Sequence, residues 1–347
     1  MTGVQTLTVG SGEGGQRLDR WFRRRFPQIP QGRIEKMCRK GEIRVDGARA
    51  KPATRIEDGQ SVRIPPLPEN DAPAPPVQPR VTEADAKMIR AAVLYRDDHL
   101  IAINKPAGLP TQGGSGHTRH VDGLAEALTF DAFDKPRLVH RLDKDTSGVL
   151  LLARTRQAAQ ALTETLRNKS TRKIYWAVTA GVPHPRMGTI RTGLVKAPGH
   201  GPSGEGEKML IVPAEAIDRT DGAKRAVTDY ATLSALGTRT AWVALVPVTG
   251  RTHQLRAHMA AIGHPIVGDG KYGGSGQENL GDGWGAQLGG EISRKLHLHA
   301  RSLSLTHPIT GARLNFTAPL PDHMQRTWDA LEWHASDVPA DPFEDEA

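Results

Sequence analysis

A chain of 347 residues has room for one large domain and one small one, and its single cysteine, Cys38, excludes intrachain disulfides and cysteine-rich zinc sites. No run approaches the roughly 18 apolar residues of a membrane span, and the polar opening "MTGVQTLTVGSGEGG" lacks the basic and apolar regions of a secretion signal. A cytoplasmic protein without membrane contact is expected. The formal charge of +8 is unevenly placed: residues 1–64 hold 14 Lys and Arg against 7 Asp and Glu, residues 81–336 hold 31 against 24, and residues 337–347 carry −5. So basic a short segment is the footprint of a polyanion binder, most often nucleic acid.

Near the start, "GSGEGG" has the look of a dinucleotide-binding loop, but no βαβ unit follows and the next thirty residues are basic, so that reading is rejected. Leu18, Phe22 and Phe26 recur at helical spacing with Trp21 beside them, and Ile34, Met37 and Cys38 mark a second short helix. Each carries a basic face: Arg20, Arg23 and Arg24 on the first, and Arg33, Lys36, Arg39 and Lys40 on or just beyond the second. "GEIRVDGARA" reads as a hairpin turning at Asp46-Gly47, and "SVRIP" closes a module over 16–64. Seven prolines in residues 65–80 then predict a semi-extended linker.

Beyond the linker, "AAVLYRDDHLIAINKP" predicts two strands joined by an acidic turn, and "DGLAEALTF" a short helix. Strands are expected at 149–153, 173–179, 227–233 and 241–247, helices at 156–168 and 252–262, and an irregular excursion at 196–224. Strands and helices do not alternate as βα repeats. The fold class is therefore α+β, a mixed and mostly antiparallel sheet with flanking helices over 81–330, preceded by the small α+β module and followed by an acidic tail, 331–347. With aromatic residues at 5%, the core should rest on Leu, Val, Ile and Ala.

The stretch "HRLDKDTSG", residues 140–148, taken alone is a turn before a buried strand, since Asp, Thr, Ser and Gly are turn formers. His253, His258, His264, His297 and His299 suggest a metal cluster, yet no HExxH or comparable ligand set accompanies them, so they read as structural or RNA-facing and no metal is expected. Neither a GxSxG elbow nor a Walker A loop is present, which argues against a serine hydrolase or an NTPase.

Four segments change the balance: "INKPAGLPTQGGSG" (103–116), "HRLDKDTSG", "RKIYWAVTAG" (172–181) and "VTGRTHQLRAHMAAIGHPIVGD" (248–269). In order and spacing they resemble the RluA/RluC/RluD superfamily of pseudouridine synthases, and the likeness runs from about 90 to 322. "RLDRWF" and "KGEIRVDG" resemble the S4 RNA-binding domain, and with "GGSG" they bring the whole nearest to the RluC type, which acts on large-subunit ribosomal RNA. Gln112 departs from the histidine that many members carry there, a difference outside the catalytic motif.

The resemblance implies that Asp143 is the catalytic carboxylate. Pseudouridine formation breaks the C1′–N1 bond, turns the uracil and joins C1′ to C5, an isomerisation that needs no cofactor. A carboxylate serves it by stabilising or trapping the sugar carbon, adding to the base at C6, or taking a proton. The nearby Asp145 is more simply a turn residue. By the same resemblance, Arg141 fills the gap left by a flipped uridine, Tyr175 stacks on the uracil, and Arg251 pairs with Asp143 to keep it ionised. Read without the family, Tyr175 is core packing and Arg251 a phosphate contact at a helix start; for Leu255 and Leu298 the resemblance implies uracil walls, and an ordinary core role serves equally well. Arg20, Arg23, Arg24, Arg33, Arg39 and Lys40 would grip RNA. The expected protein is a monomer whose partner is large-subunit ribosomal RNA or an assembling ribosomal particle. The alternatives are a non-catalytic RNA-binding or ribosome-assembly factor on the same fold, and a hydrolase that releases uracil.

Overall fold

The computed structural model describes residues 3–10, 12–67, 81–113, 119–168, 170–197, 208–273 and 292–344, and the chain divides into two compact units, Met1–Arg80 and Val81–Ala347. In the first unit the strands are β1 (Gln5–Thr8), β2 (Gln16–Arg17), β3 (Arg44–Val45), β4 (Ala48–Arg49), β5 (Arg55–Ile56) and β6 (Ser61–Ile64), with helices α1 (Leu18–Arg25) and α2 (Gln31–Lys40). The helices form where the apolar spacing predicts. Leu18, Trp21 and Phe22 of α1 and Ile34, Met37 and Cys38 of α2 are buried in one core with Ile43, Ile56 and Val62. Asp46 and Gly47 both take positive φ, 49° and 78°, as a two-residue hairpin between right-twisted strands requires. Strand β1 has no clear sequence signal. It pairs with β6 at the edge of the sheet β1-β6-β3-β4, so the unit begins well before residue 16. Leu67 is buried in the same core, and the rest of the expected linker, 68–80, lies outside the described residues.

The second unit contains α3 (Glu83–Ala91), β7 (Val93–Arg96), β8 (Leu100–Lys105), α4 (Val121–Leu124), β9 (Arg137–Leu138), β10 (Ser147–Ala153), α5 (Arg156–Thr165), β11 (Arg172–Ala180), β12 (Met187–Lys196), β13 (Met209–Val212), β14 (Lys224–Leu236), β15 (Thr240–Pro247), α6 (Gln254–Ala261), β16 (Leu298–Thr306), β17 (Arg313–Thr317) and α7 (Asp322–Ala330). Its sheet runs β13-β12-β14-β15-β11-β16-β10-β8-β7, with β17 against β16 and β9 against β10. Among the described residues the pairing is antiparallel throughout except where β10 and β16 run parallel, matched at Ser147↔His299 and Gly148↔Ala300. Gly148 is indispensable to that joint. Its φ is +110°, and a Cβ there would lie 2.2 Å from the carbonyl oxygen of Ala300.

Alternation sorts the core. Strand β10 is buried along its whole length because Leu150 and Leu152 face one hydrophobic cluster while Val149, Leu151 and Ala153 face another. On β11 and β15, Trp176 and Trp242 point toward α7 and meet Trp328 and Trp333, with Trp176–Trp242 ring centroids 4.6 Å apart. The opposite face packs Ala177, Val243 and Leu245 against Leu255 and Met259 of α6. The buried core is mostly Leu, Val, Ile and Ala, as expected, and four of the six tryptophans gather in this one cluster.

Two boundaries also move. Part of the excursion at 196–224 is ordered, with β13 pairing to β12, while 198–207 lie outside the described residues. The acidic segment begins later than residue 331, since Leu331 and Trp333 are buried in the tryptophan cluster; farther on, Asp341 grips Arg172 with two bonds of 2.6 and 2.7 Å. No helix among the described residues is long and apolar enough to cross a membrane.

Candidate active site

An open cleft of about 890 Å³ lies in the second unit, where the loop before β10, the strand β11 and the start of α6 meet. Arg141 and Asp143 come from the loop, Tyr175 from β11, Arg251, His253 and Leu255 from the segment entering α6, and Leu298 from β16. Residues separated by more than a hundred positions therefore share one wall. Among the described residues, three exposed cations, Arg141, Arg167 and Arg251, line it.

The Asp143 loop is held from beneath. Lys105, at the end of β8, is fully buried, and its Nζ donates to the carbonyls of Pro106, Leu109 and Lys144 at 2.9, 2.8 and 3.0 Å. Burial draws its pKa down to about 7, against the opposing influence of Asp145 and Asp143. Thr111 clasps the same loop, donating to the Leu142 carbonyl at 2.6 Å and accepting from the Leu142 N–H at 3.2 Å. From the other side His140 accepts from the Leu151 N–H at 2.9 Å, and burial lowers its pKa to about 3, so the imidazole stays neutral. Ser147 Oγ and His299 Nδ1, 2.8 Å apart, bolt the loop's exit across the parallel joint. The turn residues of "HRLDKDTSG" thus form a clamped platform that leaves Asp143 half-buried and Arg141 exposed.

Tyr175 reaches the cleft through an irregularity. The register of β11 against β16 slips between Ile174 and Tyr175, a bulge of the kind that re-aims a side chain at a strand's working end. Burial pushes the phenol's pKa up, and the negative charge of Asp143 adds to that rise, so Tyr175 is a neutral hydroxyl facing a carboxylate.

In "GRTHQLR" each residue has a different task. Gln254 is buried and fully bonded: its amide donates to the Val227 carbonyl and Thr228 Oγ1, and its Oε1 accepts from Thr249 and the Arg251 N–H. This anchor fixes where α6 starts. Arg256 is buried with Asp269, the pair joined by two bonds of 2.7 Å. Arg251 departs from expectation. Its side chain is exposed and its Nε donates to the Arg225 carbonyl at 3.1 Å, so the expected pairing with Asp143 is not made. The group within ion-pair reach of the carboxylate is His253, whose Nε2 lies 3.9 Å from Asp143 Oδ2, while the buried Arg256 adds positive charge from farther along the same segment. The physical reason is the backbone. His253 has φ +52°, a left-handed turn immediately before the helix, which swings its ring into the cleft and leaves Arg251 at the rim.

Leu255 and Leu298 are both cleft wall and core, so the two readings of them coincide. Arg20, Arg23, Arg24, Arg33, Arg39 and Lys40 are exposed on the first unit, opposite its buried helix faces. The buried histidines are bonded within the fold: His258 to Thr192 and Thr228, and His297 to the Lys295 carbonyl and Thr327. His264, half-buried, sits 3.3 Å from the Ala180 carbonyl. The sequence alone assigns no role to Lys105, Thr111 or Tyr272, and reads His253 with the other histidines as structural or RNA-facing. The available signal for Lys105 was a lysine ending an otherwise apolar strand pattern.

Comparison with known proteins gives one consistent picture. Residues 99–261 match the family described as RNA pseudouridylate synthase. The chain is 35% identical over 331 residues to ribosomal large subunit pseudouridine synthase C of Salmonella typhi, covering 94% of this chain and 97% of that protein, and the figures are the same for the Escherichia coli K12 protein of that name. Among solved structures, human RNA pseudouridylate synthase domain containing 4 superposes with a TM-score of 0.56 at 31% identity, over 71% of this chain and 95% of that one.

Proposed function

The chain belongs to the RNA pseudouridylate synthase family and is an isomerase of the RluC-like group, and from that premise we propose that it converts uridines of large-subunit ribosomal RNA to pseudouridine in the cytoplasm, with Asp143 as the reacting carboxylate. The observation that carries this reading is the convergence of Asp143, Tyr175 and the exposed Arg141 on one cleft large enough for a flipped nucleotide. The reaction is balanced within the substrate. N1–C1′ breaks, C5–C1′ forms, C5 gives up its proton, and N1 takes one. Asp143 meets the cationic character that develops at C1′ or adds to the base. Tyr175, a neutral phenol beside it, stacks on the uracil while Leu255 and Leu298 flank the ring. Arg251, at the rim, serves as a phosphate contact in place of a counter-charge. The reading is tested by mapping pseudouridines in large-subunit ribosomal RNA from cells with and without the gene: one or more sites disappear with the gene, and an unchanged map rejects the assignment.

We assign the first unit as an S4-type RNA-binding domain, supported by its exposed arginines on faces opposite the core, and Arg141 as the side chain that replaces the flipped base. One experiment with two arms separates these roles. Arg141→Ala slows the reaction most on structured RNA, where unstacking costs roughly a few kcal/mol, and least on a flexible strand; equal effects on both reject the wedge. The fragment 81–347 retains turnover at saturating RNA but binds with a shallower salt dependence, log K against log salt flattening by roughly 0.7 for each phosphate that the protein no longer neutralises. An unchanged slope rejects the RNA-binding role of the first unit.

A further inference from the structure

We propose that His253 is a positioning residue for the reaction: Tyr272 locks its imidazole as the Nε2–H tautomer, which aims a hydrogen-bond donor at Oδ2 of Asp143 and leaves the other carboxylate oxygen to meet the uridine. The inference rests on the reading of Asp143 as the reacting group.

A short chain of hydrogen bonds sets the tautomer. The backbone N–H of Met209 donates to Tyr272 Oη at 2.8 Å. With one lone pair so engaged, the phenol keeps its own hydrogen free, and the nearest acceptor is His253 Nδ1 at 3.1 Å. A nitrogen that accepts cannot also carry a hydrogen, so the neutral ring bears it on Nε2. That nitrogen is the one facing Asp143, 3.9 Å from Oδ2. The gap is about an ångström longer than a hydrogen bond, the looseness common in an unliganded site that tightens on substrate binding.

Three further observations fit a built device. His253 holds a left-handed backbone conformation, uncommon for a side chain other than glycine, and strain of this sort concentrates at working sites. The ring of Tyr272 meets that of His253 edge-on, centroids 5.8 Å apart, so the hydroxyl contact is backed by packing. The turn presenting Tyr272 is shaped by Asp269, whose Oδ1 accepts from the N–H groups of Lys271 and Tyr272. The groups facing His253 are Asp143 from the reacting loop, Arg256 on its own helix, and Asp269, Lys271 and Tyr272 from the following turn. Burial, aided by Arg256 and Lys271, lowers the imidazole's pKa despite Asp143, so the ring is neutral at neutral pH and the tautomer is the variable that matters.

The full-length protein labelled with ¹⁵N in its histidine rings tests this directly. In the wild type the His253 signal, identified by its loss in His253→Gln, reports a neutral Nε2–H ring, and Tyr272→Phe shifts it toward a mixture of tautomers. In parallel, Tyr272→Phe lowers kcat by about tenfold to a hundredfold, the scale of a misplaced reacting group, with KM changed less than about threefold; His253→Gln, which keeps an N–H near the Nε2 position, retains more turnover than His253→Ala. A wild-type ring that is charged or protonated on Nδ1 at neutral pH overturns the proposal without recourse to any variant. So does a Tyr272→Phe protein with normal kcat, or one whose defect lies in KM alone. Asp143→Asn, assayed alongside, keeps the two ideas apart: if it turns over, the assignment of the carboxylate fails, and if it is inactive while Tyr272→Phe is normal, only the role of His253 fails.

Discussion

The Asp143→Asn protein is expected to bind RNA and to form no pseudouridine, its turnover falling by roughly a thousandfold or more. Asparagine matches the shape of aspartate but has no anionic oxygen to stabilise or trap the sugar carbon. Nothing in the loop's support depends on that side chain, since Lys105, Thr111 and His140 hold the backbone around it. Binding and folding therefore survive while chemistry stops. Release of tritium from uridine labelled at C5 measures the step, because that hydrogen leaves when C5 joins C1′. Asp145, exposed two positions on, is the internal control: Asp145→Asn keeps activity within a few fold. Appreciable release by a pure Asp143→Asn preparation would remove the carboxylate from its role.

Asp269→Asn is expected to destabilise the second unit by about 3–5 kcal/mol. Asp269 is 1% exposed and Arg256 5%, so loss of the carboxylate leaves a guanidinium charge buried without its bonded counter-ion, with only the more distant Asp143 to offset it. In a domain of this size that corresponds to a fall of roughly 10 °C in the second unit's unfolding midpoint. The companion variant, Arg256→Met with Asp269→Leu, costs less than Asp269→Asn, because it removes the stranded charge along with its partner. Thermal unfolding by calorimetry decides the matter. A double variant no more stable than the single one would mean that the pair's worth lies in its packing and not in its charge.

The strands were legible where burial is simple. "VLLLA" reads as a strand because both faces of β10 are covered, and the alternation in "RKIYWAVTA" separates Tyr175 from the tryptophan side. Asp143 and Arg141 were legible as a motif because a short loop carries them both. Which side chain of "GRTHQLR" turns inward was not, since that depends on a left-handed residue at 253 and on a helix start fixed by Gln254, features set by partners on β14. Lys105 escaped notice because a lysine is ordinarily exposed; its burial becomes reasonable only when three carbonyls from two loops converge on it. Trp176, Trp242 and Trp328 are scattered in the chain, and their cluster exists only once α7 folds back on the sheet.

The place of β16 has a consequence for the order in which the molecule comes to life. This strand lies between β10, which carries the reacting loop, and β11, which carries Tyr175, yet it is synthesised long after both: Ser147 and His299, bonded across the joint, are 152 positions apart. A chain emerging from the ribosome has every motif in place well before residue 298, and still its two halves have no common strand to register them. Contacts so distant in sequence form late and slowly. Catalytic competence is therefore among the last properties the growing polypeptide acquires: an incomplete chain, however much of the sequence pattern it displays, can grip RNA through its first unit but has no registered site with which to modify it.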